Sequence, residues 1–160
     1  MEKLNIKKDI ILGSQSPRRI ELLNMMQLKF KVKKIPIKEN YPSSITPIQT
    51  ALFLSKKKAD VYKIKSNDLL ICADTVVYQK KNTLGKPKSK DEAIKMLKQL
   101  SNKRHFVVTG VTMKTIQKEI MFYDRSTVYF KQLSNKEIDF YVNYFNPLDK
   151  AGAYGIQEWI

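Results

Sequence analysis

Apolar and polar positions along the chain follow two periods, and the elements they predict alternate from start to finish. Asp9 to Leu12 is a short apolar run that reads as a strand and enters Gly13-Ser14-Gln15-Ser16-Pro17. Ser16 is a suitable helix N-cap there, and Pro17 fits the first turn, where its missing N–H costs nothing. Ile20, Leu23 and Met26, with Leu22 alongside, recur at helical spacing and predict a buried stripe. Phe30 to Ile37 alternates as a strand, and Pro42 and Pro47 mark a loop. Thr46-Pro47 repeats the cap-plus-proline start, with Ile48, Ala51, Leu52, Ser55 and Ala59 on one helical face.

Asp68 to Tyr78 is a strongly apolar strand interrupted by Asp74 and Thr75, and Lys80 to Asn82 should turn the chain. Ser89 with Glu92, and Ser134 with Glu137, have the spacing of capping boxes. The first precedes Ala93, Met96, Leu97 and Leu100; the second precedes Ile138, Tyr141, Val142 and Phe145. His105 to Thr115 and Ile120 to Phe130 read as strands, the second alternating around Phe122, Asp124, Ser126, Val128 and Phe130. The chain then runs through Pro147 into Ala151-Gly152-Ala153-Tyr154-Gly155. Mixing of helices and strands throughout predicts an α/β fold on a mixed sheet, in one domain spanning 1–160.

Composition narrows the function classes. No apolar run approaches the roughly 20 residues of a spanning helix, and the lysine-rich N-terminus leads into no signal-peptide core. A single cysteine, Cys72, excludes an internal disulfide, and a cytoplasmic location is expected. The formal net charge of +15 favours anionic partners, although much of it comes from short lysine runs, such as Lys56 to Lys58, that also suit a solvated face.

Four segments can carry chemistry. In Ser14-Gln15-Ser16-Pro17-Arg18-Arg19, a helix N-terminus, two hydroxyls and two guanidiniums offer donors to a phosphate; otherwise Ser16 caps the helix and the arginines lie in solvent. Asp74, inside an apolar strand, is costly unless paired, hydrogen-bonded or metal-bound, so it suits a general base, a metal ligand or a structural acceptor. Lys58 and Lys86, the latter in Leu84-Gly85-Lys86-Pro87, can neutralise a polyphosphate or remain surface lysines. In Asp149 to Gln157, small residues permit close approach of a ligand, and Gln157 can both donate and accept toward a base edge. His105 and Cys72 read as structural, and there is neither a Walker loop nor a dinucleotide fingerprint.

In this order the segments resemble the Maf family of the inosine-triphosphate-pyrophosphatase-like superfamily. The match runs from Gly13-Ser14-Gln15-Ser16-Pro17-Arg18-Arg19 through Lys58-Ala59, Ala73-Asp74-Thr75-Val76-Val77 and Leu84-Gly85-Lys86-Pro87. It continues with Leu100-Ser101 to His105, Val108-Thr109-Gly110-Val111, and Asp149 to Gln157. The resemblance implies an elongated mixed sheet flanked by helices, with a deep cleft between two lobes, and a homodimer. It implies hydrolysis of the α–β bond of a nucleoside triphosphate with a divalent metal, magnesium or manganese. Asp74 matches the proton acceptor, and Glu39 matches a carboxylate that shares the metal with it. Ser14, Ser16, Arg18, Arg19, Lys58 and Lys86 match groups around the phosphates. Arg18, Thr75 and Gln157 match positions of substrate choice.

The ending Asp-Lys-Ala-Gly-Ala-Tyr-Gly-Ile-Gln resembles the subfamily acting on dTTP and UTP rather than its 7-methyl-GTP sister. Gly13 and Ser55 stand where the family usually has alanine, and Lys38 where an acidic residue is frequent. The family's usual C-terminal segment is expected to be lacking after Ile160. The competing readings are a basic nucleic-acid-binding module and a septum regulator without catalysis; the first leaves Asp74 without a purpose, and neither a membrane nor nucleic acid is the expected partner.

Overall fold

Helix starts follow the capping chemistry of the sequence. In the computed structural model, which describes residues 6–80 and 82–160, β1 (Asp9–Leu12) leads to α1 (Pro17–Met25), β2 (Phe30–Val32) and α2 (Pro47–Val61). Next come β3 (Asp68–Gln79), β4 (Asn82–Leu84), α3 (Lys90–Leu100), β5 (Arg104–Lys114), β6 (Glu119–Tyr129) and α4 (Asn135–Phe145). Short 3-10 turns at Pro147–Asp149 and Ala151–Ala153 close the chain. Met1 to Asn5 of the basic N-terminus, and Lys81 of the expected turn, lie outside the described residues.

The strands form one mixed sheet in the order β2-β1-β3-β5-β6, with β4 pairing β3. β1 runs parallel to both β2 and β3, in the registers Ile10↔Phe30 and Ile10↔Leu69, while β4 is antiparallel to β3. The chain divides into two compact units. The first comprises the described residues up to Asp74 with Thr109–Tyr123; the second comprises Thr75–Val108 and Asp124–Ile160. β3, β5 and β6 each contribute to both. No helix among the described residues is long and apolar enough to cross a membrane.

In the first unit Ile11, Ala59, Leu70 and Cys72 form a buried cluster. α2 is held at its start by a reciprocal box: Gln49 N–H donates to Thr46 Oγ1 at 3.3 Å, and Thr46 N–H donates to Gln49 Oε1 at 2.9 Å. Two glycines permit close approaches here. A Cβ on Gly110 would lie 2.5 Å from the Ala51 carbonyl carbon, so β5 meets the backbone of α2 only without a side chain. A Cβ on Gly13 would lie 2.5 Å from Cys72 Sγ. Ser55 has its own reason to differ from alanine, a buried hydroxyl pair with Thr112 at 2.9 Å.

The second unit holds a larger core, in which α3 supplies Ala93, Leu97 and Leu100, and α4 supplies Ile138, Tyr141 and Val142. α4 starts with the expected box, Ser134 with Glu137. At α3 the box is half made: Ser89 accepts from Glu92 N–H, but the Glu92 carboxylate takes the N–H of Lys88, one residue earlier.

Three expectations are corrected. α1 buries none of its residues, and Leu22 is 57% exposed, because no core cluster among the described residues includes its apolar face. Ser16 caps α1 by position alone, with no side-chain hydrogen bond. β2 stops at Val32, since its partner β1 offers only four residues. β6 forms where a strand was expected and, as an edge strand of the sheet, is exposed along almost its whole length.

Candidate active site

The strand-to-helix turn after β1 orders its own donors. Ser14 Oγ accepts from Arg19 Nη1 at 3.0 Å and from the Ser16 N–H at 3.2 Å, so one hydroxyl ties the turn to the first turn of α1. Burial is the main influence lowering the Arg19 pKa, and the like charge of half-buried Arg18 adds to it. The negative charges of Asp74 and Glu39 oppose both effects.

Asp74 is 7% exposed near the middle of β3, and Lys58, near the end of α2, donates to its Oδ1. The same ammonium lies 3.9 Å from Glu39 Oε1. Burial holds the Asp74 carboxyl above the ordinary carboxylate range, and the charge of Glu39 pushes the same way. Lys58 and Arg19 pull it back toward ionisation. This is the balance a general base needs: ionised by cationic neighbours, yet poorly solvated enough to want a proton.

Glu39 is held near Lys58 by a residue the sequence did not single out. Lys57 Nζ donates to the carbonyl of Lys38 at 3.0 Å and to that of Asn40 at 3.2 Å, grasping the backbone on both sides of Glu39. Lys56 turns elsewhere, to Asp60 at 3.1 Å and Glu119 at 2.8 Å, where Lys114 joins the same two carboxylates. The three consecutive lysines therefore have three separate jobs, where a lysine run suggests only a solvated face. Cys72 is fully buried, and burial pushes its thiol up to about 11, which leaves it inert.

Glu39 and Asp74 flank one ammonium, and the described residues hold no cluster of three or more His, Cys, Asp or Glu able to cage an ion. Two carboxylate oxygens are the donor set that suits a magnesium-like ion completed by water and phosphate oxygens. These residues fit such a group.

The remaining candidates lie in the second unit. Thr75 follows Asp74 in β3 and is half-buried, while Lys86 and Gln157 are exposed. The Lys86 loop is tied down by Gly152 N–H donating to the Gly85 carbonyl at 3.0 Å. His105 is fully buried and meets the Tyr154 hydroxyl at 2.7 Å, and burial lowers its pKa to about 4; it is structural. The sequence reading missed Glu158, which bridges Lys150 and Tyr141 beside Gln157. A carboxylate one residue past a candidate base reader was the only signal available.

Thus Ser14, Arg19, Glu39, Lys58 and Asp74 share one unit, with Ser16 and Arg18 on the same turn and helix. The chain is 46% identical to a dTTP/UTP pyrophosphatase of Porphyromonas gingivalis over 162 residues, covering 98% of this chain and 81% of that protein. It is 49% identical to a dTTP/UTP pyrophosphatase of Thermosipho melanesiensis over 150 residues, covering 94% and 81%. Among solved structures, the fold is similar to the Ham1 protein of Staphylococcus aureus, with a TM-score of 0.51, 15% identity, and coverage of 76% of this chain and 71% of that one. The family model described as Maf-like protein matches residues 9–160, and on that match the chain belongs to the Maf family.

Proposed function

We propose that this chain hydrolyses pyrimidine nucleoside triphosphates, dTTP and UTP foremost, to the monophosphate and pyrophosphate. The observation that carries the reading is Asp74: a desolvated carboxylate kept titratable by Lys58, in one cluster with Glu39 and Arg19. The names of the relatives supply the substrate class.

In this mechanism Asp74 takes a proton from water as the water oxygen attacks the α-phosphorus. The bond from that phosphorus to the bridging oxygen breaks, pyrophosphate leaves with the electron pair, and Asp74 returns its proton to solvent. Lys58 has two tasks, holding Asp74 ionised and offering positive charge to the polyphosphate. Ser14, Ser16, Arg18, Arg19 and Lys86 bind phosphate oxygens, the arginines in a bidentate way. Glu39 and Asp74 would hold a divalent cation, magnesium or manganese, which supplies charge neutralisation when bound. Thr75 and Gln157, with Arg18, select the base.

The test is pyrophosphate release from dTTP, UTP, CTP, 7-methyl-GTP and ITP with magnesium or manganese, beside Asp74→Asn. Turnover led by dTTP and UTP and lost in Asp74→Asn is expected. Turnover led by 7-methyl-GTP would keep the reaction and overturn the pyrimidine assignment. Silence across the panel would overturn the enzymatic reading.

A further inference from the structure

Gln157 lies in a four-residue turn, Gly155-Ile156-Gln157-Glu158, closed by the Glu158 N–H donating to the Gly155 carbonyl at 3.0 Å. Its two central residues, Ile156 and Gln157, are exposed. One backbone bond is little to hold an exposed turn in a single conformation, since a net hydrogen bond contributes only about 1 kcal/mol. The turn's flanks are nonetheless tied into the core. Tyr141, fully buried on α4, donates its hydroxyl to Glu158 Oε2 and accepts the Gly155 N–H at 3.0 Å. Lys150, only 8% exposed, places its ammonium 3.2 Å from Glu158 Oε1 and 3.0 Å from Asp149 Oδ1. The Glu158 carboxylate thus spans the turn from below, and Gly155 makes room for it: a Cβ there would lie 2.9 Å from Glu158 Cδ.

Mostly buried lysine–carboxylate pairs add little net stability, because desolvation cancels much of the attraction. What such a pair can do is specify one geometry, and here the geometry specified is that of the turn bearing Gln157.

We infer that Tyr141, Lys150 and Glu158 form a positioning lock that sets Gln157 for reading the edge of the base. The inference rests on the proposed role of Gln157 in base selection. The three residues need not touch the nucleotide; they act through the turn. Loosening the lock therefore raises KM and flattens base preference while leaving the phosphate chemistry at Asp74 alone.

The test measures kcat and KM of the full chain on dTTP, UTP and CTP for Glu158→Ala, Gln157→Ala and the double variant. Expected for each single variant is a roughly tenfold loss of preference for dTTP over CTP, the size of one misplaced hydrogen bond, and for Glu158→Ala the loss is carried by KM with kcat on dTTP nearly unchanged. The double variant should lose no more than either single one, because both act through one contact. If Gln157→Ala loses preference and Glu158→Ala keeps it, the lock is overturned and the role of Gln157 stands. If Gln157→Ala keeps full preference, both fall. A fall in kcat equal for every nucleotide in Glu158→Ala would mark a merely structural role and overturn the lock. Should Glu158→Ala fail to fold, Tyr141→Phe, which keeps the ring and removes the hydroxyl, is read by the same preference.

Discussion

Lys58 on Asp74 and Lys150 on Glu158 are the same chemistry in two settings, one pair in each unit. Around Asp74 the neighbours are charged and compete: burial and Glu39 raise its pKa, while Lys58 and Arg19 lower it. Around Glu158 the neighbours cooperate, since both carboxylate oxygens have donors and the tyrosine hydroxyl passes the bonding on to Gly155 N–H. The first arrangement suits an incoming anion and a moving proton. The second suits a fixed shape. The contrast shows that an ion pair's role is read from its other partners rather than from its length.

The largest test of this contrast is Asp74→Asn. Activity should fall by about 10³-fold with loss of the proposed general base, while stability, followed by thermal melting, shifts by less than about 1 kcal/mol, because the amide oxygen still accepts from Lys58. Global unfolding of that variant would make the Asp74 pair structural after all.

Next in size is a pH effect in the second unit. An unfolded histidine gains its proton near pH 6.5, whereas folded His105 gains one only near 4. Between those values the unfolded state holds more protons, so stability is full above 6.5 and is lost as pH falls through 4, by up to about 3 kcal/mol. Urea melts across that window, repeated on His105→Gln, should show the slope and then its removal.

Lys58→Met should cost about tenfold in kcat/KM at neutral pH and move the acid limb of the pH–rate profile upward, since the main cation lowering Asp74 is gone. Lys150→Met should leave that limb where it is. The smallest effects are at the caps: Thr46→Ala and Ser134→Ala should each cost about 1 kcal/mol in denaturation, and Ser16→Ala only a few tenths, as its side chain bonds no helix N–H.

Local chemistry was legible in the chain. Thr46-Pro47 and Ser134 with Glu137 announce helix starts because a cap needs only neighbours within one turn. Asp74 stood out because an apolar strand makes a lone carboxylate conspicuous. Non-local facts were not legible. Leu22 and Met26 repeat at helical spacing whether or not anything covers them, and β6 alternates although it lies at a sheet edge. Lys56, Lys57 and Lys58 look identical in sequence, and only partners far along the chain, Glu119, Asn40 and Asp74, separate their tasks. Tyr141 was visible as a core position, but its hydroxyl's partner seventeen residues on was not.

Gly13 bears on how this sequence can drift. Its missing Cβ leaves the space that Cys72 Sγ fills on the neighbouring strand, and Ile35 Cδ1 also borders that gap at 2.7 Å. Alanine at 13 therefore has to arrive with a smaller residue at 72 and a shift of the Ile35 side chain, or not at all. Among descendants of this chain, positions 13 and 72 should change together, so the end of β1 and the strand bearing Asp74 share one mutational history.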